Sequence, residues 1–161
     1  MNTIQVANLQ DLPLILNLQK KVFGEIAVKM NKFDIPPLME TIEEVEKQFE
    51  NNIFLKYLSK DGQIVGSVRG ALSPENTCGI GKLIVDPNFQ NKGIGRALML
   101  QIESYFPHCS KFTLFTSSFT PNTIHLYQKI GYHIIDTKEL DGMIMTFMEK
   151  QNMQPSSDHM L

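Results

Sequence analysis

The stretch LIVDPNFQNKGIGRALM, residues 83–99, constrains this chain more than any other. An apolar run reads as a strand, a loop follows, and a helical period then opens on two glycines one residue apart. Glycine in a helix costs roughly 1 kcal/mol relative to alanine, so two of them call for a compensating role. A helix start supplies one. Its unpaired N–H groups and the positive end of the helix dipole form an anion site, and glycine lets a phosphate approach the backbone. Lys92 and Arg96 add positive charge beside Gly93 and Gly95. A glycine-rich turn without a ligand explains the same residues as economically. The familiar nucleotide patterns do not fit: a dinucleotide fingerprint needs a third glycine where Leu98 stands, and nothing here supplies the Gly-Lys-Ser/Thr of a P-loop.

The rest of the chain organises around this unit. TIQVANL alternates as a strand, Asp11 is placed to cap a helix with Pro13 in its first turn, and KMNKFDIPP (29–37) breaks that helix. Thr41 and Glu44 form a capping box for a second helix with Ile42, Val45 and Phe49 inward. IFLKYLS and IVGSVRGALS flank Lys60-Asp61-Gly62-Gln63, a hairpin signal. GIGKLIV reads as a short buried central strand, and a helix runs over Gly93–Phe106 with Ile94, Ala97, Leu98, Ile102 and Phe106 on one side. KFTLFTSS is a strand. TPNTIHLYQKIG is a compact helix capped by Thr120 and ended by Gly131. YHIIDTKEL and IMTFMEK close as a hairpin around DGM, the methionines reading as core. The order β-α-α-β-β-β-α-β-α-β-β describes one mixed α/β domain over residues 1–150, with 151–161 as a flexible tail.

A chain of 161 residues, 42% hydrophobic and 20% charged, suits a single globule. A net charge of −2 gives no support to a nucleic-acid partner. No apolar stretch reaches the ~18 residues of a membrane span, and no signal sequence is visible, so a cytoplasmic location is expected. Cys78 and Cys109 have no metal-ligand spacing; no metal is expected, and Cys78 reads as inert.

Gln90-Asn91-Lys92-Gly93-Ile94-Gly95, behind LIVDP and before a helix, resembles the Gln/Arg-x-x-Gly-x-Gly/Ala signature of the GNAT superfamily of acyl-CoA-dependent N-acetyltransferases. Asn122-Thr-Ile-His-Leu126-Tyr127-Gln-Lys129-Ile-Gly131-Tyr132 is similar to that family's Asn…Leu-Tyr-x-Lys-x-Gly-Phe/Tyr segment. The element order follows the family's over roughly residues 3 to 150. The resemblance implies a GNAT-type fold, an open and mostly antiparallel splayed sheet of six to seven strands flanked by about four helices. It implies acetyl-CoA as co-substrate and transfer to a primary amine, of a small molecule or a peptide, by direct attack in a ternary complex.

On that resemblance the glycines have their role. Backbone N–H groups of Gln90, Asn91, Lys92, Gly93, Ile94, Gly95 and Arg96 receive the coenzyme A pyrophosphate. The strand Leu83, Ile84 and Val85 splays from KFTLFTSS and offers main-chain atoms, chiefly of Leu83 and Val85, to the pantetheine arm. An N–H near Leu83 polarises the thioester carbonyl. Tyr127 protonates the departing thiolate, although its spacing with Ile124 and Ile130 also suits a core aromatic; Asn122 and Lys129 complete the cofactor set, Asn122 reading also as a polar residue of the helix's first turn and Lys129 as a solvated charge. An amine near pKa 10.4 loses its proton at a cost of about 3 units, roughly 4–5 kcal/mol at neutral pH. Many relatives carry Glu where this chain has Gly81, so no base is assigned; Glu75 or a water chain are the alternatives. Gly79 and Gly81 mark a bulge or a close approach and widen the acceptor side. Glu25, Asp34 and Glu40 read as amine-binding or as merely solvated carboxylates. A non-catalytic acyl-CoA sensor or interaction module stays open, as does the choice between monomer and homodimer.

Overall fold

The computed structural model describes residues 3–118 and 120–153; most of the expected tail, 154–161, lies outside the described residues. Among the described residues seven strands form one sheet, in the order β1-β2-β3-β4-β5-β7-β6. They are β1 (Ile4–Val6), β2 (Ile53–Leu58), β3 (Ile64–Leu72), β4 (Thr77–Val85), β5 (Lys111–Ser117), β6 (His133–Leu140) and β7 (Met143–Gln151). The helices are α1 (Leu12–Met30), α2 (Pro36–Met39), α3 (Ile42–Phe49), α4 (Ile94–Ser104) and α5 (Pro121–Lys129). Pairing is antiparallel for β1 with β2, β2 with β3, β5 with β7 and β6 with β7. Between β4 and β5 it is parallel and covers Thr77–Lys111, Cys78–Phe112 and Gly79–Thr113. This is the mostly antiparallel sheet that the family resemblance implies.

The chain divides into two compact units. The first holds the chain up to Gly70 together with Lys82–Ile102. Its core is apolar: Leu12, Ile15, Leu16 and Leu18 of α1, Val45 of α3, Phe54 of β2 and Ile84 of β4, with Ile42 and Phe49 packed against them. The predicted capping box is present, Thr41 Oγ1 accepting from Glu44 N and Glu44 returning the bond to Thr41 N. Such a box satisfies two donors that a helix start otherwise leaves open. The 60–63 hairpin forms as well, Ser59 N–H donating to Gln63 C=O at 2.8 Å.

The second unit holds Ala71–Gly81 and the chain from Glu103 onward. Tyr132 Oη donates to Glu103 at 2.7 Å, and Lys150 Nζ donates to its other oxygen at 2.9 Å. Asn152 Nδ2 donates to the Pro107 and Cys109 carbonyls, so specific bonding continues past Lys150. Met143 and Met148 of β7 are buried, whereas every residue of β6, at the sheet edge, is exposed.

Some details depart from the sequence expectation for local reasons. Asp11 does not cap α1. A short 3₁₀ turn, Leu9–Asp11, begins first and is capped by Asn8; the Asp11 carboxylate receives the Asn8 N–H and Lys56 Nζ, the latter at 2.7 Å. Thr120 makes no side-chain cap on α5; its hydroxyl donates back to Ser117 C=O. The prolines at 36–37 end nothing but start α2, since the first helical turn has no use for their missing N–H. β4 begins two residues early, at Thr77, and is only partly buried.

Candidate active site

The loop after β4 is built to present its backbone. Asp86 N–H donates to Val65 C=O at 2.8 Å, pinning the strand end. The Asp86 carboxylate accepts from Asn88 N–H and from Lys21 Nζ, which hold it below the ordinary carboxylate range although burial alone pushes it up. Gln90 turns its side chain back, Nε2 donating to Val85 C=O at 3.2 Å. Asn91 and Gly93 then adopt left-handed backbone, φ 62° and 81°. Two such residues around Lys92 reverse the chain and bring it to α4, whose first bond runs from Ala97 N–H to Gly93 C=O. The helix therefore starts at Ile94, one residue later than predicted, with Gly95 inside its first turn. The N–H groups of that turn have no acceptor within the helix. Gln90, Asn91, Lys92, Gly93 and Arg96 are exposed, and Ile94 is buried as the anchor.

What seats this helix start is a residue the sequence reading passed over. A Cβ on Gly66 of β3 would meet Leu98 Cδ1 at 3.0 Å, Ile94 Cγ2 at 3.1 Å and Ile84 C=O at 3.3 Å. The missing side chain allows α4 to lie directly on the strand. The signal, a glycine amid an otherwise β-prone run, is present in IVGSVRG, but nothing local tells it from a turn glycine.

On β4, Ile84 is 1% exposed and its side chain belongs to the core, while Leu83 and Val85 are half-buried. The expected irregularity is present, but it falls on Lys82, which takes φ 51°, and not on either neighbouring glycine. Outside glycine this conformation costs roughly 1–2 kcal/mol. A Cβ added at Gly81 would meet nothing within 4 Å, and one at Gly79 only Ala71 C=O at 4.0 Å. Packing does not demand these glycines.

A buried polar cluster that sequence reasoning missed lies in the same unit. Arg69 of β3, 4% exposed, donates to Gln48 Oε1 at 2.8 Å and to Gln19 Oε1 at 2.7 Å. Gln19 Nε2 donates to Glu40 Oε1 at 2.8 Å and to Pro37 C=O at 3.0 Å, and Gln48 Nε2 donates to Glu40 Oε2. Arg69 Nη1 and Lys82 Nζ lie 3.6 Å and 3.5 Å from Glu40 Oε1. Arg69 also stacks over the Phe54 ring at 4.4 Å. Burial pushes the Arg69 guanidinium down to about 10, against the raising charge of Glu40. Burial alone would raise the Glu40 carboxyl, but bonds from Gln19 and Gln48 and the charges of Lys82 and Arg69 outweigh it and hold the group ionised. Glu40 is thus neither a solvated carboxylate nor a poised base. Asp34 is exposed and paired with Lys32 at 3.0 Å, and Glu25 is exposed.

In the second unit, Tyr127 of α5 is 5% exposed, its ring 6.0 Å from that of Tyr132. Burial pushes its phenol well above the ordinary tyrosine value, so it stays protonated. Asn122 and Lys129, on the same helix, are exposed, and so are His125, His133 and Glu75. Cys78 is fully buried and burial pushes its thiol up to about 12, which suits an inert residue. Among the described residues no group of three or more His, Cys, Asp and Glu side chains is placed to hold a metal, and no helix is long and apolar enough to cross a membrane.

Comparison with known proteins bears on the family and the fold. A Bacillus subtilis (strain 168) protein, YdhI, itself uncharacterised, is 34% identical over 77 residues, 47% of this chain and 46% of its own length. The chain therefore matches about half the length of that curated relative. In solved structures the fold resembles the ribosomal-protein-S18-alanine N-acetyltransferase of Escherichia coli, with a TM-score of 0.77, 17% identity, and 98% of each chain covered. It also resembles the Vibrio cholerae spermidine N-acetyltransferase in complex with CoA and spermine, with a TM-score of 0.74, 17% identity, and 95% of this chain and 96% of that chain covered. The sequence model of the Acetyltransferase (GNAT) family matches residues 20–132, so the strand, the glycine loop and the α5 motif all fall inside it and the chain belongs to that family.

Proposed function

We propose that this protein is an acetyl-CoA-dependent N-acetyltransferase that moves the acetyl group to a primary amine by direct attack in a ternary complex. The observation that carries the reading is the backbone of residues 90–96. Left-handed Asn91 and Gly93 lead into the unpaired first turn of α4, with Lys92 and Arg96 exposed beside it. Such a turn suits a diphosphate. The CoA in the Vibrio cholerae neighbour supports coenzyme A as its source.

In this reading the amides of Gln90 to Arg96 bind the pyrophosphate, and main-chain atoms of Leu83 and Val85 pair with the pantetheine amides. The Leu83 N–H polarises the thioester carbonyl as it becomes an oxyanion. The acceptor nitrogen forms a bond to the acetyl carbon, the C–S bond breaks, and Tyr127 supplies the proton that neutralises the departing thiolate. Burial keeps that proton on the phenol, which yields it only as negative charge develops on the departing sulfur. Asn122 and Lys129 stay with the cofactor set as surface contacts. With no side chain at Gly81 and with Glu40 tied into its cluster, water takes both protons the amine loses, releases one to solvent and returns the other to the Tyr127 phenolate.

The rival reading is a sensor that binds acyl-CoA without turning it over. Thiol release from acetyl-CoA, followed across a broad panel of amines, separates the two. Acceptor-dependent release is expected; binding of acetyl-CoA with no release for any amine would leave the sensor.

A further inference from the structure

We propose that Lys82 makes this protein select amine acceptors that also carry a carboxylate over polycationic ones. This rests on the acetyl-transfer reading, and it concerns a residue that neither the family motifs nor the glycine loop accounts for.

Lys82 is an anomaly in its strand. It holds a left-handed backbone that glycine adopts freely, with Gly81 beside it left out of that role. Its ammonium has three donors. Among the described residues its one hydrogen-bond partner is Glu40, at a long 3.5 Å. Glu40 is heavily shared: Oε1 already accepts from Gln19 at 2.8 Å and faces Arg69 at 3.6 Å, while Oε2 accepts from Gln48. Within contact distance, two cations face a single carboxylate. Glu44 also favours the Lys82 charge, but it lies beyond ion-pair contact and its carboxylate is held by Thr41. The Lys82 side chain keeps 26% of its surface exposed, against 4% for Arg69 and 9% for Glu40, so it is the member of the three that meets solvent. Burial and the Arg69 charge act against its ammonium, and the attraction of an arriving anion offsets them.

The position is apt. Lys82 directly precedes Leu83, whose N–H this reading places on the thioester carbonyl, and adjacent Cα atoms are about 3.8 Å apart. A Cβ at Gly81 would meet nothing within 4 Å, so the chain beside Lys82 leaves room. An acceptor carboxylate is drawn to the ammonium, and the second ammonium of a polyamine is repelled. The same positive charge lowers the acceptor amine's own pKa, which favours the neutral nucleophile where no side chain serves as base.

The test uses acceptor pairs that differ only in the carboxylate: ornithine with putrescine, lysine with cadaverine, phenylalanine with phenethylamine. Thiol release gives kcat/KM for each. In the wild type the carboxylate-bearing member is expected to lead by about tenfold or more, the worth of one modest charge contact. That lead should shrink as salt is raised. Lys82→Gln should collapse it about tenfold, through KM for the carboxylate-bearing member, and Lys82→Arg should keep most of it. Equal kcat/KM within pairs, a lead that salt leaves untouched, or a lead that survives Lys82→Gln overturns the charge role while acetyl transfer stands. No thiol release with either member of any pair overturns both.

Discussion

Arg69 donates from Nη2 to Gln19 Oε1 at 2.7 Å, across 50 positions of sequence, and the same glutamine passes its own amide to Glu40 at 2.8 Å. Gln19 therefore bridges both members of a buried ion pair, as Gln48 does beside it. Buried pairs are costly to break from one side, because the group left behind keeps its desolvation penalty. Gln19→Leu, similar in size, is expected to destabilise the fold by about 3 kcal/mol in denaturant unfolding. A loss below about 1 kcal/mol would mean that water replaces the amide and the cluster is not organised by Gln19.

The same cluster sets a pH dependence. The folded-state pKa of Glu40 is lowered, so its ionised form adds stability that is fully present above the unfolded value near 4.5 and is lost as pH falls through the folded value. The stability gap between wild type and Glu40→Gln should be constant from pH 6 to 8. It should narrow on acidification below about pH 4.5. A gap that widens there would reverse the sign assigned to Glu40.

Gly66 gives a test of how α4 is seated. With Leu98 and Ile94 side chains at 3.0 and 3.1 Å and the Ile84 carbonyl at 3.3 Å, an added methyl makes its neighbours give by a few tenths of an ångström, and the carbonyl is the one that cannot rotate away. Gly66→Ala is expected to cost about 1–3 kcal/mol and to weaken coenzyme A binding, because the start of α4 moves with it. Calorimetric melting and a coenzyme A titration measure the two effects. Lost stability with unchanged affinity would separate the helix position from the cofactor site.

Tyr127→Phe removes a hydroxyl and little volume. If the phenol protonates the thiolate, kcat should fall about 10²-fold while coenzyme A affinity stays within a factor of two or so. Because the phenol stays protonated through the neutral range, the wild type should show no alkaline loss of activity that belongs to this residue. Full turnover in Tyr127→Phe would remove the acid role and leave an aromatic packed near Tyr132.

Much of this was legible before any coordinates, for identifiable reasons. The Thr41/Glu44 box and the 60–63 hairpin are local chemistry, readable from four or five residues at a time. Ile94, Leu98 and Ile102 declare their helical face by spacing, and all three are buried. Illegible were the features created by partners distant in sequence. Gln19 meets Glu40 across 21 positions and Lys82 meets Glu40 across 42, and no window contains both ends. Asp11 holds the N-cap position of α1 without a side-chain cap, because Asn8 starts a turn first and Lys56 claims the carboxylate, which a cap preference cannot foresee. Gly79 and Gly81 pointed correctly to an irregular strand, but the left-handed residue is the lysine after them, held where its ammonium reaches Glu40.

The most direct test of the account is a calorimetric titration of the protein with coenzyme A and, separately, with pantetheine, which lacks the diphosphate. If the amides of residues 90–96 seat that group, coenzyme A should bind with Kd of tens of micromolar or tighter, about 6 kcal/mol. Pantetheine should then bind at least a hundredfold more weakly. No heat from coenzyme A at millimolar concentration, or equal affinity for the two, would contradict it.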